Sequence, residues 1–204
     1  MTLFQLKRAG MLATTVLGGI LVANAAAAAE QGPSYTYMEA GYAHVELDDF
    51  DADGEALALE GSVALNDMFH LVGGYQDGTI EADGNVDVDV STTELGAGMH
   101  FPINPTIDFV TQVTWVSTEV DVDGLGGVDD DGYGMGAGLR AMLSPKFELD
   151  GSVHYVDIND SDDTSFGAKA IYHFTDMFAM TGSVVSGEDT TTYGLGVRMN
   201  LRGL

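Results

Sequence analysis

The chain has 204 residues, no cysteine, and seven basic side chains against 32 acidic ones, a formal net charge of −25. That balance argues against nucleic-acid binding, which needs basic surface to meet phosphate. The missing cysteines exclude a disulfide framework and a lipoprotein anchor.

Residues 1–29 read as a cleaved secretory signal peptide. Lys7 and Arg8 form the basic region, an apolar run spans Met11–Val22, and five alanines precede Glu30. Residues 30–204 then form one domain carrying five basic residues and all 32 acids, a net −27. No later stretch approaches 18 consecutive apolar residues, so any membrane crossing falls to strands.

Strand one is expected over Ser34–Glu46, with Met38, Ala40 and Tyr42 on one face. Tyr35 and Tyr37 sit on the other parity and weaken the alternation. Ala56–Gln76 is the clearest unit. Leu57, Leu59, Val63 and Leu65 share a face, and after Asn66-Asp67-Met68 the pattern resumes with Phe69, Leu71, Gly73 and Tyr75. Side chains alternate faces along a strand, so this is a hairpin with one greasy face. Asp77–Val90 reads as an irregular acidic segment, followed by a strand over Thr92–Phe101.

Pro102–Pro105 reads as a tight turn, because proline cannot continue a ladder. Thr106–Val116 is the next strand, then a long acidic, glycine-rich loop over Ser117–Gly132. Strands beginning at Tyr133, Phe147, Phe166, Phe178 and Tyr193 follow, broken by Ser144-Pro145, an acidic loop over Asp157–Thr164, Thr175-Asp176 and a polar loop over Ser186–Thr190. Tight turns therefore alternate with longer acidic connections. Together with an even strand count, this is the pattern of a transmembrane, antiparallel, up-and-down β-barrel of the outer membrane. Ten strands are counted; eight is the alternative, if the first and ninth are misread. Tyr75, Trp115, Tyr133, Tyr155 and Tyr193 gather toward the long loops, and six phenylalanines gather toward the tight turns, as two interfacial girdles do.

The opposite parity holds the charges. Glu39, Glu60, Glu94, Asp108, Glu148 and Asp150 are expected in the lumen with Arg140, Lys169 and Arg198. An unpaired charge in a narrow lumen is costly, so these cations should meet carboxylates. The expectation is a structural or surface-interaction barrel with a plugged, charged lumen. The alternative is a narrow, porin-like cation-selective channel.

Asp49, Asp51, Asp53, Gly54 and Glu60 match the EF-hand spacing, but strands rather than helices flank them. In the outer loops Asp49, Asp51, Asp53, Asp129, Asp130 and Asp131 are candidates for weak Ca²⁺ or Mg²⁺ binding; no other cofactor is expected. His70, His100 and His173 are expected inside near the tight turns. His154, beside Asp150 and Asp157, is the nearest thing to an acid–base pair at the long-loop end. An enzyme is not expected.

Three stretches carry a family resemblance: Ser34–Gly54 (SYTYMEAGYAHVELDDFDADG), Gly61–Tyr75 (GSVALNDMFHLVGGY) and Ser144–Tyr155 (SPKFELDGSVHY). They resemble the small outer-membrane β-barrel family regulated by diffusible signal factor in Gram-negative bacteria. The resemblance implies an exported outer-membrane barrel linked to surface traits such as motility and biofilm, with no established catalytic residue. The partners expected are outer-membrane lipid and lipopolysaccharide, with periplasmic chaperones and the barrel assembly machinery during biogenesis, and a monomeric state.

Overall fold

The structure, a computed structural model, describes residues 32–47, 52–82, 86–122, 126–159 and 161–201. The expected signal peptide lies outside the described residues. Ten strands form one closed antiparallel barrel: β1 (Tyr37–Leu47), β2 (Ala52–Ala64), β3 (Phe69–Ala82), β4 (Val86–Asn104), β5 (Ile107–Val122), β6 (Gly126–Ser144), β7 (Phe147–Ile158), β8 (Ser161–His173), β9 (Phe178–Ser186) and β10 (Thr190–Asn200). Each strand pairs with its neighbours in sequence, and β1 closes onto β10 from Tyr37↔Asn200 to Leu47↔Thr190. The count is ten, not eight. In lipid every backbone N–H and C=O needs a partner, and closure removes the edges that would lack one.

The four tight turns are held by side chains accepting from the backbone. Asn66 Oδ1 accepts from the N–H groups of Met68 (2.9 Å) and Phe69 (3.0 Å). Asn104 Oδ1 accepts from Thr106 N–H, Ser144 Oγ from Phe147 N–H and Thr175 Oγ1 from Phe178 N–H. Short Asn, Ser and Thr side chains favour turns for this reason. The turn expected to begin at Pro102 begins later. Pro102 still pairs opposite Asp108, and the register slips between Pro102 and Asn104, extruding exposed Ile103. The β6–β7 turn repeats the device, with Leu143 extruded between Met142 and Ser144.

The barrel is longer than the sequence pattern suggested. Much of the acidic Asp77–Val90 segment is strand, as β3 runs to Ala82 and β4 starts at Val86. Ser117–Gly132, expected as a loop, continues β5 to Val122 and starts β6 at Gly126. Asp157–Thr164 is likewise mostly strand. In these extensions the alternation inverts. Between the girdles the outside is apolar and the inside polar. Beyond the outer girdle Asp77, Asp89, Glu119, Asp121 and Asp129 face outward, while Val45, Leu47, Ile80, Val88, Val90, Val120 and Val122 pack together inside. The wall there meets water rather than lipid, so the apolar set moves to the interior.

Val113 and Glu119 mark the two regimes on β5. Val113 is outward, exposed and between Phe109 and Trp115. Val113→Arg is expected to cost about 2–4 kcal/mol, the penalty for a cation near the bilayer midplane. Glu119→Arg, six residues further along the same face, should change stability by no more than about 0.5 kcal/mol. Unfolding of both variants in lipid vesicles checks the contrast; equal costs would place the membrane belt elsewhere.

Candidate functional site

The lumen is where the sequence-predicted charges lie, and the structure sorts them into three groups. All nine are buried. The central group spans β1, β2, β8, β9 and β10. Arg198 Nε donates to Glu39 Oε2 at 2.7 Å, and Lys169 Nζ donates to Glu39 Oε1 at 2.9 Å. Thr181 Oγ1 adds a 2.8 Å bond to the same Glu39 oxygen, and Lys169 also reaches Glu60 Oε2 at 3.3 Å. The guanidinium of Arg198 lies 3.9 Å over the Tyr37 ring. Glu60, at the last position of the EF-hand spacing, is therefore a lumen carboxylate paired with Lys169, and Gly54 lies inside β2.

The second group closes the tight-turn end. Arg140 Nε donates to Glu148 Oε1, its Nη2 is ion-paired with the same oxygen, and its Nε lies 4.0 Å from Asp150 Oδ2. The other Glu148 oxygen meets His173 Nε2 at 3.2 Å, and Asn200 Nδ2 lies 3.4 Å from His173 Nδ1. Below them the segment before β1 folds into the mouth. The Tyr35 ring stacks on His100 (centroids 3.6 Å apart) and His70 (4.9 Å). Its hydroxyl donates to Asp108 Oδ2 at 3.2 Å, and Arg140 stands over the ring at 5.6 Å. The strand expected from Ser34 thus begins at Tyr37, and Tyr35 is a plug residue. The off-parity tyrosines were the available signal, since an aromatic on the inner parity must fill lumen.

Glu94 stands apart. Thr114 Oγ1 donates a 3.5 Å hydrogen bond to it, and among the described residues no cation is paired with it. The row Gln76, Thr92 and Thr118, paired across β3, β4 and β5, lies between it and the valine cluster. Glycine makes this region possible. A Cβ on Gly98 would run into the His70 ring, and one on Gly96 would meet Val113 O and Thr114. One on Gly136 would crowd His154 (2.5 Å) and Gln112 (3.1 Å).

The acid–base pair considered for His154 is not assembled. His154 faces inward, whereas Asp157 faces outward and accepts from the hydroxyls of Tyr133 (3.2 Å) and Tyr155 (3.4 Å). Asp150 is engaged beside Arg140. Of the outer acids, Asp49 and Asp51 lie outside the described residues. Asp53 is on β2 and Asp129, Asp130 and Asp131 are on β6, with three strands between. Asp130 accepts from Asn159 Nδ2 at 2.9 Å. Among the described residues no group of three or more His, Asp or Glu side chains is placed to hold a metal.

The family described as "Outer membrane protein beta-barrel domain" matches residues 13–174. Among solved structures, the NanC porin is similar with a TM-score of 0.52 at 11% identity, covering 80% of this chain and 100% of that one. At that identity the likeness concerns the fold alone. Neisserial surface protein A aligns with a TM-score of 0.47 at 16% identity, covering 82% of this chain and 98% of that one. The attachment invasion locus protein Ail of Yersinia pestis gives 0.45 at 19%, covering 80% and 97%. No match was found among curated proteins.

Proposed function

We propose, from the premise that this chain belongs to the outer membrane protein beta-barrel domain family, that it is a sealed structural and surface-interaction barrel rather than a catalyst or an open pore. It resides in the outer membrane. The observation that carries the sealed reading is the packing of charged and aromatic side chains across the lumen. Arg140, Glu148 and Arg198 are almost completely buried, Tyr35 fills the periplasmic mouth, and valines fill the opposite end. A lumen packed in this way leaves no continuous water path.

The outward acids above the girdle, Asp77, Asp89, Glu119, Asp121 and Asp129, lie at the height where lipopolysaccharide would be met. Bare carboxylates repel phosphate, so contact there would run through bridging Ca²⁺ or Mg²⁺, weakly held by outer-end acids that include Asp53, Asp129, Asp130 and Asp131. Biogenesis would use periplasmic chaperones and the barrel assembly machinery. The motifs of Ser34–Gly54 and Gly61–Tyr75 support expression under diffusible signal factor control.

The second reading is a narrow cation-selective path, favoured by Glu94, a lumen acid without a cationic partner among the described residues. Planar-bilayer recording separates the two. The purified barrel is expected to be electrically silent; a stable cation-selective current, reduced by substituting Glu60 or Glu94, would overturn the sealed reading.

A further inference from the structure

The ladders on the two sides of β6 end at different heights. Toward β5, pairing runs up to Val122↔Gly126. Toward β7 it stops at Gly132↔Ile158. Above Gly132 the β7 side of β6 is therefore an open sheet edge among the described residues. Met142 N–H donates to Thr106 O, so the Met142 backbone faces β5. Backbone direction alternates along a strand, and the β5–β6 register runs without a break, so Gly127, Asp129 and Asp131 turn their N–H and C=O groups to the open side. Such an edge is a template for another strand. The hydrogen bond from Asn159 Nδ2 to Asp130 Oδ1 (2.9 Å) ties the end of β7 to the foot of this edge, so an added strand would lie opposite residues 126–130.

Two features define the strand that fits. The first is an interrupted apolar row. Val90, Val120 and Val128 lie side by side on the inner face of β4, β5 and β6. Val90 and Val120 are 8% and 4% exposed, but Val128, the last of the row, is 36% exposed. An apolar side chain on a strand beside β6 would cover it. The second is charge. Asp129 and Asp131 point outward on the edge strand, and Asp77, Asp89, Glu119 and Asp121 continue that face across β3, β4 and β5. Asp77, Asp89, Glu119, Asp121 and Asp129 line a groove of about 300 Å³ that takes in Gly127 and Val128. The described lysines and arginines lie elsewhere, with Arg140, Lys169 and Arg198 in the lumen and Lys146 in the β6–β7 turn. A second copy of this chain would bring two such acidic edges together, and like charges on paired strands are destabilising. A basic strand is drawn in by the same field and pairs favourably.

We infer that the open edge of β6 receives an extended, basic segment of another protein, added as a strand whose outward side chains are Lys or Arg and whose side chain opposite Val128 is apolar. In this mode backbone pairing supplies affinity and alternate side chains choose the partner. The inference gives a partner class to the surface-interaction role proposed above, and rests on that reading.

The test uses the whole barrel in neutral-lipid nanodiscs, without lipopolysaccharide or divalent cations, and a fluorescent peptide of alternating Lys and Val. Anisotropy is expected to show saturable binding above that of empty nanodiscs. N-methylating the peptide backbone should abolish it, since the charges stay and the ladder donors go. A peptide of alternating Glu and Val should not bind. Asp129→Asn with Asp131→Asn should weaken binding about fivefold, and Val128→Ser about threefold. All three side chains are exposed, so these variants should fold. Asp77→Asn with Asp89→Asn should change affinity less than about twofold, because β3 and β4 lie about 14 and 10 Å from β6 at about 4.8 Å per strand, beyond the roughly 8 Å screening length. No binding, binding that survives N-methylation, or equal losses from the two acid pairs would overturn the proposal, the last two leaving a diffuse attraction of charge. A barrel dimer that disperses on Asp129→Pro, which removes an edge N–H, would make the occupant a second copy and overturn it too. A conducting barrel that binds the peptide would sink the sealed reading alone; a silent barrel that does not bind it would sink the edge site alone.

Discussion

Replacing Glu39 by alanine is expected to destabilise the barrel by about 3–5 kcal/mol, the usual cost of removing one partner from a buried ion pair. The side chain meets Arg198, Lys169 and Thr181, at 2.7, 2.9 and 2.8 Å. Arg198 is fully buried, so without Glu39 its guanidinium keeps the Tyr37 face but loses the carboxylate it is ion-paired with. Lys169 retains Glu60 at 3.3 Å. The loss is therefore mainly an uncompensated Arg198 charge rather than missing volume. Pairing Glu39→Leu with Arg198→Met removes both charges and keeps most of the volume. That double variant should recover most of the stability, because a buried pair replaced by apolar groups is often neutral or better. Urea unfolding in lipid vesicles measures both. A double variant as unstable as the single one would mean that packing, not charge, holds this part of the lumen.

Arg140→Met should have an effect of the same order, about 3–5 kcal/mol, with a second consequence at the periplasmic mouth. Arg140 neutralises Glu148, stands over Tyr35 and lies 3.5 Å from Ser34 O. Its removal leaves Glu148, which is fully buried, with His173 alone among its recorded side-chain partners. It also loosens the segment before β1, which would then rest on the Tyr35 stack, the Asp108 hydrogen bond and the hydrogen bonds of Ser62 Oγ to Tyr35 O (3.0 Å) and Ala64 N–H to Thr36 Oγ1 (3.2 Å). A Ser34→Cys reporter is expected to react slowly with a maleimide in the parent and much faster alongside Arg140→Met. Unchanged labelling would show that the contacts of Tyr35 seat the plug without Arg140.

The same two sites show how far the sequence reaches. The inward parity of Glu39, Glu60, Arg140, Lys169 and Arg198 follows from period-2 alternation, because a strand in lipid must keep its charges off the outer face. Which carboxylate meets which cation does not follow. Glu39 and Lys169 are 130 residues apart, and only closure of β1 onto β10 brings them into contact. Tyr35 lay on the inner parity and could be suspected of filling the lumen. Its stacking on His70 and His100 needed β3 and β4 in register and the segment before β1 folded against them.

The acidic stretches were misjudged for an identifiable reason. Val116, Thr118, Val120 and Val122 alternate with Ser117, Glu119 and Asp121 as strictly as any membrane strand. Their polarity is reversed, with the apolar residues inside. A pattern search tuned to an apolar outer face takes such a segment for a loop.

By itself, then, the sequence determined the barrel, its two aromatic girdles, its ten strands and the inward parity of the charges between the girdles. These are properties of one strand in one solvent, written residue by residue. The tertiary structure decided the pairing of the charges, the seating of Tyr35, the valine closure of the far end and the isolation of Glu94. Those depend on which residues of distant strands come to the same height in a closed ring. Strand shear and tilt set that height, and no local pattern encodes it.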